Sequence, residues 1–369
     1  MLRPVFIAVD ESYSDFRAAK AEWSKRILRP AAEASGRFRA FSAIATPSPE
    51  QNVVGIGVDE KFVAGVPTGV TCLKFLVRKK FALNDLNSKQ TIPARVAGLP
   101  TDVEEVGTLV PYARRRSGTQ PRTKSAPKAM PTARASGVGE AAFPNPRKKL
   151  RPAQPGSSVG FRDPADAFVM AGTFGLLVQD AAGVRYVLSN NHVLANENRL
   201  AAGSPVFQPG LLDNGNTSSD QIAELTRFVR LDPTEPGKVD GAIAKLVKSG
   251  AAKSDILFIG PPRGASAAAR DMVVHKFGRT TSYTAGRVSS IDFDVNIPYD
   301  VGTVTFEDQV AVRGLNGQRF SDQGDSGSAI VERTTGNVIG LLFGGRTDGT
   351  LTFANHISDV LTALDVSLV

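Results

Sequence analysis

The N-terminal part of the chain shows a helical spacing of apolar residues followed by two alternating runs. Phe16, Ala19, Trp23, Ile27 and Ala31 recur every three or four residues, which predicts an amphipathic helix over residues 11–34. The runs NVVGIGV and VTCLKFLVRKKF alternate like strands, and the PTG between them is typical of a turn. These patterns predict a small α+β domain over residues 1–110.

From residue 161 onward, short runs rich in Val, Ile, Leu and Phe are separated by turn residues. Examples are VRYVLS, DGAIAKLV, MVVHKF and NVIGLLFG. Evenly spaced strands of this kind are typical of antiparallel sandwiches and barrels. The last run, HISDVLTALDV, instead predicts a helix with Ile357, Val360, Leu361 and Leu364 on one side. Residues 161–369 are therefore predicted to be mainly β with a C-terminal helix.

Residues 111–160 join these two parts and have a different composition. Residues 111–155 contain eight prolines and eleven Lys and Arg against one acid, Glu140. A segment so poor in large apolar residues buries too little surface to offset the entropy cost of ordering, so we predict a basic, disordered linker. Its charge would attract polyanions weakly, with strong salt dependence. The alternative, a solubilising tether, is the interpretation we favour.

Composition limits the setting of the protein. The net charge of +8 belongs to the linker, because the rest of the chain is close to neutral. One cysteine, Cys72, excludes an internal disulfide framework and suits a reducing compartment, so we expect a cytoplasmic protein. No window approaches 18 consecutive apolar residues, and no membrane span is predicted. The three histidines are too scattered to suggest a metal site, and the sequence predicts no cofactor.

The stretch SDQGDSGSAIV, residues 321–331, raises the possibility of a nucleophile at Ser326. A serine hydroxyl needs a base within hydrogen-bond reach, usually an imidazole, which in turn needs a buried carboxylate to orient it. Gly324 and Asp325 can form a sharp turn that directs backbone N–H groups into one concavity. The alternative is a plain glycine-rich turn before a buried strand.

One histidine and one aspartate have suitable surroundings. His192 lies in YVLSNNHVLA, at the end of an apolar strand, where a side chain projects into a cleft or is satisfied by local turn hydrogen bonds. Asp240 lies in KVDGAIAKLV, at the start of an apolar strand, where a partly buried carboxylate needs a partner. Its alternative is a turn cap, a role for which Asp232 is the better candidate. The order is His, Asp, Ser, with separations of 48 and 86 residues.

These three motifs resemble those of the chymotrypsin-like serine proteases. LSNNHVLA, VDGAIAKL and GDSGSAIV match the family's catalytic motifs in order, and the resemblance covers residues 165–369. It is especially close to bacterial trypsin-like peptidases and the narrow-leaf trypsin-like proteins of plants. It implies two packed antiparallel β-barrels, polypeptide substrates, and hydrolysis through an acyl-enzyme. It also implies that His192 is the base, Asp240 its orienter and Ser326 the nucleophile, with an oxyanion hole formed by the backbone N–H groups of Gly324 and Ser326.

The segment HKFGRTTSYTAGRV resembles the GRTTGY segment of secreted bacterial members, whose arginine pairs with the aspartate beside the serine. Here that implies a pair between Arg279 and Asp325. An arginine in a surface turn is an equally good interpretation. His275 and His356 are interpreted as structural.

The resemblance also indicates a primary specificity pocket. By alignment, Phe320 lies at its base, and Gly344 and Gly345 lie on its wall strand. Phe320 replaces the aspartate that selects Lys and Arg in trypsin, so an apolar or small substrate side chain is expected. Phe343 stands where relatives often have a serine that supports the aspartate. Either the alignment slips there or Asp240 has other donors.

The sequence thus predicts a serine endopeptidase. The alternative is a protein of protease fold with little turnover, which acts as a scaffold through its N-terminal domain or linker. A third interpretation is nucleic-acid binding by the linker. The linker is also a plausible substrate of the protease, in cis or in trans, because it is predicted to be flexible and exposed.

Overall fold

A computed structural model describes residues 11–28, 51–88, 90–112, 114–117, 143–165 and 168–369. The predicted mainly β fold is confirmed. The elements before the barrels are one helix and six strands: α1 Glu11–Ile27, β1 Val53–Val63, β2 Val66–Val77, β3 Arg95–Val96, β4 Leu99–Glu105, β5 Leu109–Pro111 and β6 Arg114–Ser117.

The first barrel is formed by the chain from residue 158 to residue 246. Its elements are β7 Ser158–Phe161, β8 Phe168–Thr173, β9 Leu176–Gln179, β10 Arg185–Ser189, α2 Asn191–Leu194, β11 Pro205–Phe207, β12 Gln221–Phe228 and β13 Ala242–Leu246. In the sheet of this barrel, β9 lies between the last strand of the chain and β10. The sheet then continues in the order β13, β12, β11, β7, β8 and β6. Inward residues of these strands, such as Val187, Val206 and Ala244, form one buried apolar core.

The second barrel follows directly. Its elements are β14 Gly264–Ala265, β15 Val273–Gly278, β16 Ser282–Tyr299, β17 Gly302–Gly314, β18 Ala329–Glu332, β19 Asn337–Arg346, β20 Leu351–His356 and α3 Ile357–Ala363. The chain then ends in β21 Ser367–Leu368, which returns to the first barrel and pairs with β9. The strands β15, β18, β19, β20, β17 and β16 form a ring, which the pairing of β15 with β16 closes. Val288, Val312, Ile330 and Leu342 fill its interior. The two-barrel prediction agrees with this arrangement.

The predicted N-terminal α+β unit exists, but it is not separate from the second barrel. Strand β1 continues the sheet by pairing antiparallel with β16, with Gly55 opposite Val295. Helix α1 packs on β1 and β2 through Phe16 and Ala19, as its spacing predicted. The turn between β1 and β2 lies at Ala64 and Gly65, which have positive φ, and the PTG segment is part of β2.

The expected linker is ordered at both ends. At its start, Pro111 belongs to β5 and residues 114–117 form β6. At its end, residues 143–160 pack on the barrels, with Ala153 and Ser157 fully buried. The middle of the expected linker, residues 118–142, lies outside the described residues.

The predicted C-terminal helix is α3. Ile357, Val360 and Leu364 are buried against the cluster that joins the two barrels. No helix in the described part of the chain is long and apolar enough to span a membrane.

Candidate active site between the two barrels

His192 and Asp240 meet because their strands are neighbours. Strands β10 and β13 are antiparallel, with Ser189 opposite Ala242, so the residues just after β10 and just before β13 lie at the same edge. A single helical turn, α2, carries His192 into the space between the barrels. Both side chains are fully buried, and the His192 Nδ1 is hydrogen-bonded to Asp240 Oδ2. The backbone N–H of His192 donates to the other carboxylate oxygen at 3.3 Å.

Asp240 has a further donor from the second barrel. The hydroxyl of Tyr299, at the end of β16, donates to Asp240 Oδ2 at 2.9 Å. Burial, and then the nearby carboxylate, raise the pKa of the Tyr299 hydroxyl well above its ordinary value, so this group remains a donor. Phe343 instead points into the core and packs on Phe306. Asp240 therefore has other donors, which is one of the two explanations given for Phe343.

Ser326 lies on a turn that enters the same cleft. Gly324 has φ of 102°, a conformation that residues with a Cβ rarely adopt. The Thr173 backbone N–H donates to the Ser326 carbonyl at 2.8 Å, which ties the turn to the first barrel. The Ser326 hydroxyl donates to the Phe343 carbonyl at 2.9 Å. The His192 Nε2 is buried and has no hydrogen-bond partner among the described residues.

The carboxylate beside the serine is held by a lysine. Lys276, on β15, places its Nζ 3.3 Å from Asp325 Oδ2, and both side chains are fully buried. The backbone N–H groups of Thr280 and Thr281 also donate to Asp325, at 2.8 and 3.2 Å. Burial alone would raise the pKa of the Asp325 carboxyl, but the Lys276 charge and these hydrogen bonds outweigh it and hold the pKa below its ordinary value.

The expected pair between Arg279 and Asp325 is therefore wrong. The Arg279 guanidinium forms a two-pronged ion pair with Asp213 of the first barrel, with distances of 2.6 and 2.7 Å. The reason is the position of Arg279 just after the end of β15 at Gly278. It stands three residues after Lys276, so the two side chains leave the backbone on different sides. Arg279 is still next to the turn, because a Cβ added to Gly324 would meet its guanidinium.

The residues expected around the specificity pocket have different surroundings from one another. Phe320 is fully buried and packs in the core of the second barrel. Gly344 and Gly345 lie on β19, where they pair with Pro111 and Val110 of β5. The space beside Gly345 is filled by a residue of the expected linker, Tyr112, which is fully buried. Its carbonyl accepts a hydrogen bond from the Gly324 backbone N–H.

Sequence reasoning missed Tyr112, Lys276 and Tyr299. Lys276 stands three residues before the arginine that was considered, in an alternating strand whose inward positions give a usable signal. Tyr299 and Tyr112 carry no such signal, since long-range pairing brings them to the cleft. Among the described residues, no group of three or more His, Cys, Asp or Glu is placed to hold a metal ion.

Two antiparallel barrels with this cleft between them define a trypsin-like protease fold. The family model Trypsin matches residues 175–364, and the chain belongs to that family. No curated protein matches the chain.

The fold is similar to several solved structures, each of which aligns with 58% of this chain. A glutamic acid-specific serine protease, described as using a histidine triad in substrate binding, is 17% identical over 100% of its own chain, with a TM-score of 0.43. Protease A of Thermobifida fusca is 18% identical over 97%, with a TM-score of 0.41. Human heparin binding protein is 13% identical over 92%, with a TM-score of 0.33.

Proposed function

We propose that this protein is a serine endopeptidase in which Ser326 attacks the peptide carbonyl, His192 transfers protons and Asp240 orients His192. The observation that carries the proposal is the buried pair of His192 and Asp240. Because Asp240 occupies the Nδ1 side of the ring, the Nε2 side is free to accept a proton, and the Ser326 turn lies in the same cleft.

The reaction needs one small rearrangement. The Ser326 hydroxyl rotates from the Phe343 carbonyl to His192 Nε2, which takes its proton as the oxygen attacks. The negative charge that develops on the substrate oxygen is stabilised by the backbone N–H of Gly324 and, in our proposal, by that of Ser326. A preorganised donor of this kind is worth about 3 kcal/mol in the transition state.

Lys276 and Arg279 maintain this turn without a new N-terminus. Lys276 supplies the buried cation for Asp325, and Arg279 lies behind Gly324 while it pairs with Asp213. Both cations are internal to the chain. We therefore propose that the oxyanion turn forms on folding and needs no proteolytic step.

Labelling with a fluorophosphonate probe tests this function, because such a probe reacts only with an activated serine. We expect covalent labelling at Ser326 in the wild type and in Ser218→Ala, whose serine is exposed at the surface. Ser326→Ala and His192→Ala should not be labelled. The same probe is applied to Tyr112→Gly, in which the pocket is empty. If folded Tyr112→Gly is not labelled either, the protein is not a serine hydrolase, and a binding role for the protease fold becomes the better interpretation.

A further inference from the structure

The segment Leu109–Tyr112 lies in the cleft as an added strand. Gly344 is opposite Pro111, Gly345 is opposite Val110 and Arg346 is opposite Leu109, all antiparallel. The Tyr112 backbone N–H continues the ladder by donating to the Phe343 carbonyl at 3.0 Å. Main-chain pairing to an exposed strand edge is a common way to hold an extended peptide, whatever its side chains are.

The Tyr112 carbonyl occupies the position where chemistry would take place. Its oxygen accepts a hydrogen bond from the Gly324 backbone N–H. The Tyr112 N–H and the Ser326 hydroxyl donate to the same Phe343 oxygen, at 3.0 and 2.9 Å. The Tyr112 backbone therefore shares the Phe343 oxygen with the Ser326 hydroxyl, while its carbonyl is bonded to a donor suited to an oxyanion.

The Tyr112 side chain fills a pocket that matches its hydroxyl. This hydroxyl donates to the backbone carbonyl of Arg346, and the carbonyl of Leu351 lies 3.4 Å away. The side-chain hydroxyls of Ser321 and Thr352, 2.5 Å apart, lie at the same end of the pocket. Gly345 leaves the necessary space, since a Cβ there would come within 2.7 Å of the Tyr112 hydroxyl. The pocket thus accepts an aromatic ring and provides acceptors for a phenol.

The chain crosses the cleft from one barrel to the other. Before Tyr112 it is paired with β19 of the second barrel, and residues 114–117 pair antiparallel with β8 of the first barrel, with Arg114 opposite Ala171. Backbone pairing therefore anchors the chain just before Tyr112 and again from Arg114 onward.

We infer that the chain is its own substrate and is cut between Tyr112 and Ala113. This inference rests on the proposed protease function and identifies tyrosine as a preferred residue for the specificity pocket. The sequence predicted that the pocket takes an apolar or small substrate side chain. Under this inference it takes an aromatic side chain that carries a hydroxyl.

The reaction consumes one water. Ser326 Oγ bonds to the Tyr112 carbonyl carbon while its proton passes to His192 Nε2. The bond from that carbon to the Ala113 nitrogen breaks, and His192 gives the proton to the leaving amine. Water then attacks the Tyr112 ester, His192 takes a proton from it, and that proton returns to Ser326 Oγ. The products are a Tyr112 carboxylate, a new N-terminus at Ala113 and the free serine.

Intact-mass measurement of the full-length protein during incubation tests the inference. The wild type should give residues 1–112 and 113–369, whose masses add up to the intact chain plus one water. Ser326→Ala should stay whole. The rate should not change over about a hundredfold range of protein concentration, since the segment already lies in its own cleft. A rate that rises with concentration would overturn cleavage in cis.

Two tyrosine variants test the assigned bond. Tyr112→Asp, which places a charge in the pocket, should stop cleavage there, and Tyr112→Phe should slow it at least about tenfold, because the acceptors lose their donor. Tyr186→Phe is the matched control, since it removes a hydroxyl that donates to Asp180 far from the cleft. Cleavage at another bond, or equal cleavage of Ser326→Ala, would overturn the assignment.

Probe labelling separates this inference from the proposed function. If the wild-type chain stays whole while the fluorophosphonate labels Ser326 in Tyr112→Asp, the serine is activated but the segment is not cut. In that case the proposed function stands and self-cleavage is wrong. If the chain stays whole and no folded variant is labelled, the protease function itself fails.

Discussion

Two stretches from the first third of the chain add strands to the second barrel, and they are held in different ways. Strand β1 pairs with β16 and brings with it a helix and an apolar cluster that includes Phe16, Phe75 and Leu73. Strand β5 is three residues long and pairs with β19 at the cleft. The same barrel thus receives one stretch together with a helix and a separate apolar cluster, and the other as a short extended strand whose side chains enter the barrel's own clusters.

Buried ion pairs fix the larger unit. Lys20 of α1 lies 2.8 Å from Asp294 and 2.7 Å from Asp308, two residues of the barrel. Arg313 of β17 makes a two-pronged pair with Glu104 of β4, at 3.0 and 2.7 Å. Removing one member of such a pair leaves a buried charge without compensation, which is costly. This docking is therefore specific and hard to break.

The cleft segment is held by backbone hydrogen bonds, by the side chain of Tyr112 and by the buried side chains of Leu109 and Val110. Backbone pairing of this kind is independent of sequence, and a carbonyl next to Ser326 is the group on which the proposed chemistry acts. In our proposal, attachment and turnover are therefore divided between neighbouring stretches of the chain. The unit around β1 keeps the N-terminal part in place, and the segment around Tyr112 is the one that reacts.

The largest expected effect concerns the fragments left after a cut. We predict that residues 1–112 and 113–369 stay together, because the contacts of β1, α1 and β4 with the second barrel do not involve the broken bond. Size-exclusion chromatography and native mass spectrometry should show one complex. The same question can be tested without self-cleavage. A recognition site for an added protease is inserted within residues 118–142 of Ser326→Ala, and the cut protein is checked for one complex. Separation of the fragments at micromolar concentration would show that the docking is weaker than its ion pairs indicate.

Arg313→Met should weaken the docking of the larger unit, while the ion pairs of Lys20 and Lys74 remain. It leaves Glu104 and the fully buried Asp59 without their main cation, and we expect a loss of about 3 kcal/mol in the free energy of unfolding. Denaturant unfolding measures this loss. The matched control is Arg319→Met, which removes an exposed pair with Asp322 and should cost less than about 1 kcal/mol. Equal effects of the two variants would mean that the buried network contributes nothing specific.

Tyr299→Phe should weaken the reaction and leave both docking surfaces unchanged. The phenyl ring keeps the packing on Phe306, but Asp240 loses the donor at 2.9 Å. We expect self-cleavage to slow about tenfold, equivalent to about 1.4 kcal/mol of transition-state stabilisation. Cleavage kinetics measured beside thermal unfolding check this. A lower melting temperature with an unchanged rate would show that Tyr299 has only a structural role.

The sequence was sufficient where the fold and the candidate site depend on local motifs. His192, Asp240 and Ser326 each stand at a strand end or in a glycine turn, and their order agrees with the family. The alternating runs predicted the barrels, and the spacing of Ile357 and Val360 predicted the last helix. In these cases the pattern that forms the element also determines which side chains it presents.

The sequence was insufficient where the decisive contact joins distant segments. The pairing of Gly55 with Val295 attaches the N-terminal unit to the barrel, yet nothing in either strand identifies its partner. Residues 109–111 and 114–117 have no apolar period of their own, and they form strands because β19 and β8 offer edges to pair with. For the same reason a stretch that composition assigned to a linker contains Tyr112, which fills the cleft beside Gly345.

The smallest expected effect is a pH dependence of stability. It comes from His275 in the second barrel, to which both stretches are docked. Burial, and then the Arg333 charge, lower the pKa of His275 from 6.5 to about 4. Between these values the unfolded chain binds a proton that the folded chain does not. The contribution of His275 to the free energy of unfolding is therefore complete above pH 6.5 and is lost as the pH falls toward 4. Because the side chain is only partly buried, we expect about 1 kcal/mol of this loss at pH 5. The free energy of unfolding should therefore fall less between pH 6.5 and 5 in His275→Gln than in the wild type, by about that amount. An equal fall in both proteins would mean that other groups cause it.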